Sequence, residues 1–177
     1  MVVLRRRTAA AHEALEVRLD VLGPGLDRPG YGELLQRFAL AQPALEAAIA
    51  ATVGPALAGD RCRKADALRA DLHDLGLDVP MALHPPVVLD SVPAALGALY
   101  VTEGVTLGGA LIAEHVVAVL GPETPRRFFT SYGPGVPARW AELRLTFRRL
   151  LRTPRDVDRA AVAAEQVFAW FAAVLVP

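Results

Sequence analysis

The sequence predicts an all-α single domain. Apolar residues return at intervals of three and four almost throughout, and the alternating Val, Ile and Thr runs that mark strands are missing. A chain of 177 residues, 53% of them hydrophobic, is the size of one domain and buries enough apolar surface to be ordered. The first helix is expected from about Val3 to Val21, with Leu4, Thr8, Ala11, His12, Leu15, Leu19 and Leu22 on one stripe, ended by Gly23-Pro24-Gly25. Asp27 is placed to cap a second helix that runs to about Thr52 and stops at Gly54-Pro55. A third covers about Pro55 to Leu75. The proline-rich stretch from Gly76 to Pro86 reads as a loop.

Ser91 is positioned to cap a long helix reaching about Leu120, with Pro93 in its first turn, where a missing N–H costs little. Gly97, Gly104, Gly108 and Gly109 interrupt its pattern, and each costs about 0.8 to 1 kcal/mol relative to alanine, so something should compensate. A short helix after Gly121-Pro122 is expected to run through Phe129. A further helix covers about Pro137 to Arg152, and Thr153 before Pro154 opens the last one, to about Leu175.

Composition narrows the function classes. The 19 basic and 19 acidic residues cancel, which argues against a dedicated nucleic-acid binder. The balance hides an uneven distribution: residues 1 to 7 hold three basic groups and no acid, and residues 126 to 159 hold nine basic against three acidic. Lys64 is the sole lysine among the basic residues, a bias we read as that of a GC-rich genome. Cys62 stands alone, which excludes an internal disulfide and a cysteine-built zinc or iron–sulfur site and fits a reducing cytoplasm. The early arginines are followed by Ala-Ala-Ala-His-Glu rather than an apolar run, so no signal peptide is read. The charge-free stretches 47–59 and 91–102 fall short of the roughly 20 residues a membrane helix needs.

Two constellations carry chemistry. His12 lies one turn before Glu16, a spacing that lets the carboxylate fix one ring nitrogen and leaves the other free to ligate a metal. The same residues also describe a core histidine satisfied by its neighbour, with the imidazole turned inward. His73, His84 and His115 offer no such pattern, and His115 is expected at the surface. In Tyr100-Val-Thr-Glu-Gly104-Val105-Thr106-Leu-Gly108-Gly109 the glycines strip side chains from one face of a helix, so that either a flat ligand or a second helix can approach the backbone.

Taken with Leu4-Arg-Arg-Arg-Thr8, Phe128-Phe129, Tyr132-Gly133 and Arg139-Trp140, these segments resemble the bacterial haem oxygenases, the short enzymes found beside bacteriophytochromes in particular. The resemblance spans about residues 4 to 140. It implies an all-α fold with haem, both substrate and prosthetic group, between a proximal and a distal helix. His12 matches the iron ligand and Glu16 its hydrogen-bond partner, while Gly104 and Gly108 match the distal glycines, with Gly109 adjoining and Tyr100 and Val105 beside them. An electron donor such as a ferredoxin or a reductase, oxygen and haem would yield biliverdin, carbon monoxide and iron, and a bacteriophytochrome is a possible biliverdin acceptor. Neither nucleic acid nor membrane is an expected partner.

A neutral imidazole is a moderate axial donor, unlike a thiolate, which promotes O–O cleavage. Haem propionates need cations at the mouth of the slot. Arg5, two turns before His12, is the first candidate, with Arg144 and Arg148 as alternatives. One departure is Val105, where the family carries aspartate or serine. Valine anchors no water, so proton delivery falls to the backbone of Gly104 and Gly108, to Thr106 or to solvent. That departure motivates a second reading, a haem-binding or haem-buffering protein without catalysis. A third, a helical enzyme of the thiaminase-like or pyrroloquinoline quinone synthesis type, suits the glycine-rich helix poorly.

Overall fold

In the computed structural model, which describes residues 1–176, seven α-helices follow one another and no strand occurs among the described residues. Helix α1 (Val2–Leu19) buries Leu4, Thr8 and Leu15 and ends at Asp20, whose left-handed backbone (φ 41°) is one that aspartate tolerates better than most residues. Helix α2 (Arg28–Val53) opens as expected on Asp27, whose carboxylate accepts the Gly30 N–H at 2.8 Å. Its buried face, including Leu35, Phe38, Leu45 and Ile49, forms much of the core.

The single helix expected over 55–75 is broken. A short α3 (Pro55–Ala58) runs into a 3-10 turn (Gly59–Cys62), and α4 (Lys64–Asp74) starts afresh. Gly59 adopts a positive φ of 46°, a conformation side chains disfavour, and Arg61 and Lys64 then turn into the interior. Helix α5 (Val92–Leu120) matches its expected span, although the Ser91 side chain makes no capping hydrogen bond. The helix expected before Phe129 is absent. The Asp71 carboxylate on α4 accepts the Phe128 N–H at 2.9 Å and an Arg127 N–H at 3.1 Å, and these bonds hold the segment as turns while Phe128 and Phe129 insert against Phe38.

After a 3-10 turn at Gly133–Gly135 come α6 (Val136–Leu150) and α7 (Pro154–Leu175). Helix α7 starts with a capping box: Thr153 Oγ1 accepts the Asp156 N–H, and the Asp156 carboxylate accepts the Thr153 N–H. It is the helix on which the site is built, because α1 and α5 both pack against it while packing little against each other. Arg7 ties α1 to it through a forked pair with Glu165 (2.7 and 2.8 Å) and a contact to Asp158 at 2.5 Å. By length and composition α5 could cross a membrane. It packs on α7, α2 and α6 and carries a fully buried, ion-paired Glu103, which suits a core helix of a globular bundle.

Candidate functional site

Helices α1 and α5 flank α7 in the same direction. At one end, Arg7 pairs with Asp158 and Glu165 of α7, and the Gly97 backbone of α5 sits on the Ala160 carbonyl within that stretch. At the other, His115 Nε2 on α5 lies 3.1 Å from the Gly23 carbonyl oxygen just beyond α1. At a rise of about 1.5 Å per residue, Arg7 to His12 spans about 7.5 Å and Gly97 to Gly104 about 10.5 Å. His12 and Gly104 therefore stand within about half a turn of the same height. His115 departs from its expected surface role: it is half-buried and joins the end of α1 to α5.

The imidazole of His12 does not point into the core, as its place on the apolar stripe had predicted. The stripe that α1 buries is centred on Leu4, Thr8 and Leu15, and His12 falls on its margin with 52% of its side chain exposed. Nδ1 is 3.2 Å from Glu16 Oε2, and the ring meets Phe168 of α7 edge-on at 5.7 Å. Glu16 thus favours the tautomer that leaves Nε2 as a free donor of electrons.

The four glycines of α5 divide into two pairs. A Cβ at Gly97 would stand 2.0 Å from the Ala160 carbonyl oxygen, and one at Gly109 would stand 2.3 Å from that of Phe129. Both are sites of close backbone packing. Gly109 is accordingly buried against the 121–132 segment and does not extend the distal strip. At Gly104 and Gly108 a Cβ would meet nothing within 4 Å. One face of α5 is bare there, and Leu107 and Leu111 beside it are 52% and 60% exposed, so an apolar surface stands open.

Thr106 does not face that strip. It is two residues from each glycine, on the opposite side of the helix, and its buried hydroxyl donates to the Glu103 carbonyl at 2.6 Å. Val105 is half-buried against the core, and Tyr100 stacks edge-on with Trp140 at 6.0 Å. Arg5, Arg144 and Arg148 are exposed and form no ion pair among the described residues. Burial and the Arg148 charge hold the Met1 amino group below its usual pKa, which puts Arg148 within electrostatic reach of the start of α1.

On the buried side of α5 lies a cluster that the sequence reading missed. The Glu103 carboxylate accepts hydrogen bonds from Lys64 Nζ at 2.5 Å, from Arg61 and from the Tyr132 hydroxyl at 2.8 Å. Arg61 also reaches Glu142 and the Arg139 carbonyl, and Arg139 pairs with Asp60. Glu46 joins through the Lys64 and Ala65 N–H groups and Gln42. Burial and the Glu103 charge push the Tyr132 phenol above its usual range. Burial pushes the Cys62 thiol up to about 12, so the lone cysteine is unreactive. The signal that could have revealed the cluster is Lys64, the single lysine of a chain that otherwise uses arginine.

Two surface grooves lie elsewhere. One of about 520 Å³ is lined by Asp60, Arg63, Lys64, Arg127 and Tyr132, and one of about 300 Å³ by Leu19, Asp27 and Arg37 among others.

A solved structure matches this fold. The NO- and CO-bound haem oxygenase from Neisseria meningitidis superposes over 97% of this chain and 87% of its own, with a TM-score of 0.79 and 22% sequence identity. The chain has the haem oxygenase fold. Neither a protein-family model nor a curated protein sequence matches it.

The residues present fit a haem. One imidazole with a free nitrogen, a bare strip of α5 at similar height, exposed leucines beside it and the exposed Arg5 two turns before His12 are what a flat, apolar, dianionic disc requires. Among the described residues no three His, Cys, Asp or Glu side chains converge on one point, so His12 would be the single protein ligand of an iron already ringed by porphyrin nitrogens.

Proposed function

We propose that this protein is a haem oxygenase that opens haem to biliverdin, carbon monoxide and iron. The observation that carries the reading is the pairing of a half-exposed His12, oriented by Glu16, with the open Gly104 and Gly108 strip at the same level of the bundle. When bound, haem supplies the iron that activates oxygen and the meso carbon that is attacked. His12 Nε2 would hold the iron, with Glu16 fixing the imidazole tautomer. Gly104 and Gly108 would let the α5 backbone come close to the porphyrin face. Arg5, Arg144 and Arg148 offer cations to the propionates, and the same arginines suit docking of an acidic ferredoxin or a reductase. The Asp- or Ser-bearing distal position is Val105 here and Thr106 is turned away, so proton delivery would rest on solvent held by the backbone groups of Gly104 and Gly108. We assign the protein to the cytoplasm and to the bacteriophytochrome-associated type, with a phytochrome as biliverdin acceptor.

Haemin titration tests the reading. A Soret shift that His12→Ala abolishes is expected, followed by a biliverdin band on reduction with ascorbate or a ferredoxin system under oxygen. No Soret shift, or one indifferent to His12→Ala, refutes haem ligation. Val105 and the inward Thr106 favour one alternative, a haem-buffering protein that shows the Soret shift without biliverdin.

A further inference from the structure

The distal strip is clamped at both ends. Immediately before Gly104, Glu103 is fully buried and bonded to two cations and a phenol. Immediately after Gly108, the Gly109 backbone lies against the Phe129 carbonyl. Between these points α5 has two glycines with open space beside them, so on that face no side chain holds the backbone, and only Val105 and Thr106 pack it from the inner side. One segment carries both clamps, because Phe129 and Tyr132 lie three residues apart in the same run of turns.

Stability alone does not account for the polar clamp. A buried ion cluster gives up much of its Coulomb attraction to desolvation, and apolar packing of equal volume often stabilises as well; the best-attested use of such a group is to fix register. The choice of cation points the same way. Lysine appears once in the chain, at a site 2% exposed where a compact ammonium bonds Glu103 and the Arg61 carbonyl (2.9 Å) and lies 5.3 Å from the Tyr132 ring centroid. A planar guanidinium presents its donors in a different geometry, so arginine is not an equivalent replacement there.

Resting on the haem oxygenase reading, we propose that Glu103, Lys64 and Tyr132 are positioning residues that set the height of the Gly104 and Gly108 backbone over the porphyrin, and so select which meso edge is attacked. Glu103 acts through the helix and touches no substrate. Lys64→Arg keeps the charge and changes the shape. Tyr132→Phe removes one hydrogen bond from the rim of the cluster and leaves both cations in place, so it tests the idea even if Lys64→Arg folds poorly.

The readouts are the C–O stretch of the ferrous carbon monoxide complex and the biliverdin isomers formed. The expected result is a shifted and broadened stretch and loss of a single dominant isomer, with the iron–histidine stretch on the His12 side unchanged. Variants that keep the wild-type C–O stretch and isomer, even at lower melting temperature, overturn the proposal and leave the haem oxygenase reading intact. Wild-type protein that takes up no haemin overturns both.

Discussion

Gly108 and Gly109 are neighbours with opposite duties. Alanine at Gly108 enters open space and improves helix propensity, so the ligand-free protein should gain up to about 1 kcal/mol. The same methyl group obstructs the strip, and haemin affinity should fall. At Gly109 alanine drives into the Phe129 carbonyl, and stability should drop by about 1 to 3 kcal/mol. Urea unfolding and haemin titration of the two variants check both signs. Val105→Ser places a hydroxyl beside Gly104 on a half-buried residue; haem affinity should stay nearly constant and ring opening should rise or hold. A clear loss of rate in single-turnover assays contradicts that account. Spacing alone did not separate the open glycines from the packed ones; the resemblance singled out Gly104 and Gly108 but added Gly109, which packs on Phe129. His12 was legible as a candidate, yet its exposure was not, because a stripe's edge depends on which helix covers it.

The elements were largely readable from their ends. Asp27 and Thr153 cap as their sequences predict, and α1, α2, α5, α6 and α7 lie close to their expected bounds. The failures share one cause. The break at Gly59–Cys62 and the missing helix before Phe129 both arise where a distant carboxylate, Glu103 or Asp71, captures a residue that local periodicity assigns to a helix. At the start of α7, hydrogen bonds from the Thr153 N–H and Arg152 N–H hold the exposed Asp156 carboxyl below its ordinary pKa. A folded pKa below the unfolded value of about 3.9 means stabilisation present above that pH and lost as pH falls through the folded value. Asp156→Asn should therefore be less stable than wild type at neutral pH, with the gap closing in acid; urea midpoints at the two pH values measure it.

Across the whole molecule, zero net charge conceals two kinds of charged region. Arg5, Arg144 and Arg148 face solvent with no ion pair among the described residues, whereas Glu103, Lys64 and Arg61 are withdrawn into the core. The first group should steer an acidic donor, so reduction of the haem-loaded protein by a ferredoxin should slow as ionic strength rises, and a rate indifferent to salt removes that role. The second group tolerates no loss of a partner: Glu103→Ala strands two buried cations and should cost about 3 to 5 kcal/mol in chemical denaturation.

The single lysine also has a practical consequence. Lys64 Nζ is the only side-chain primary amine in the chain, and the fold seals it beneath Glu103. An amine-directed reagent should leave every side chain of the native protein untouched and gain one target when the bundle opens. Conjugation at Lys64, followed by mass, then counts openings of the core around α5, and protection by haem would report how far the ligand stiffens it.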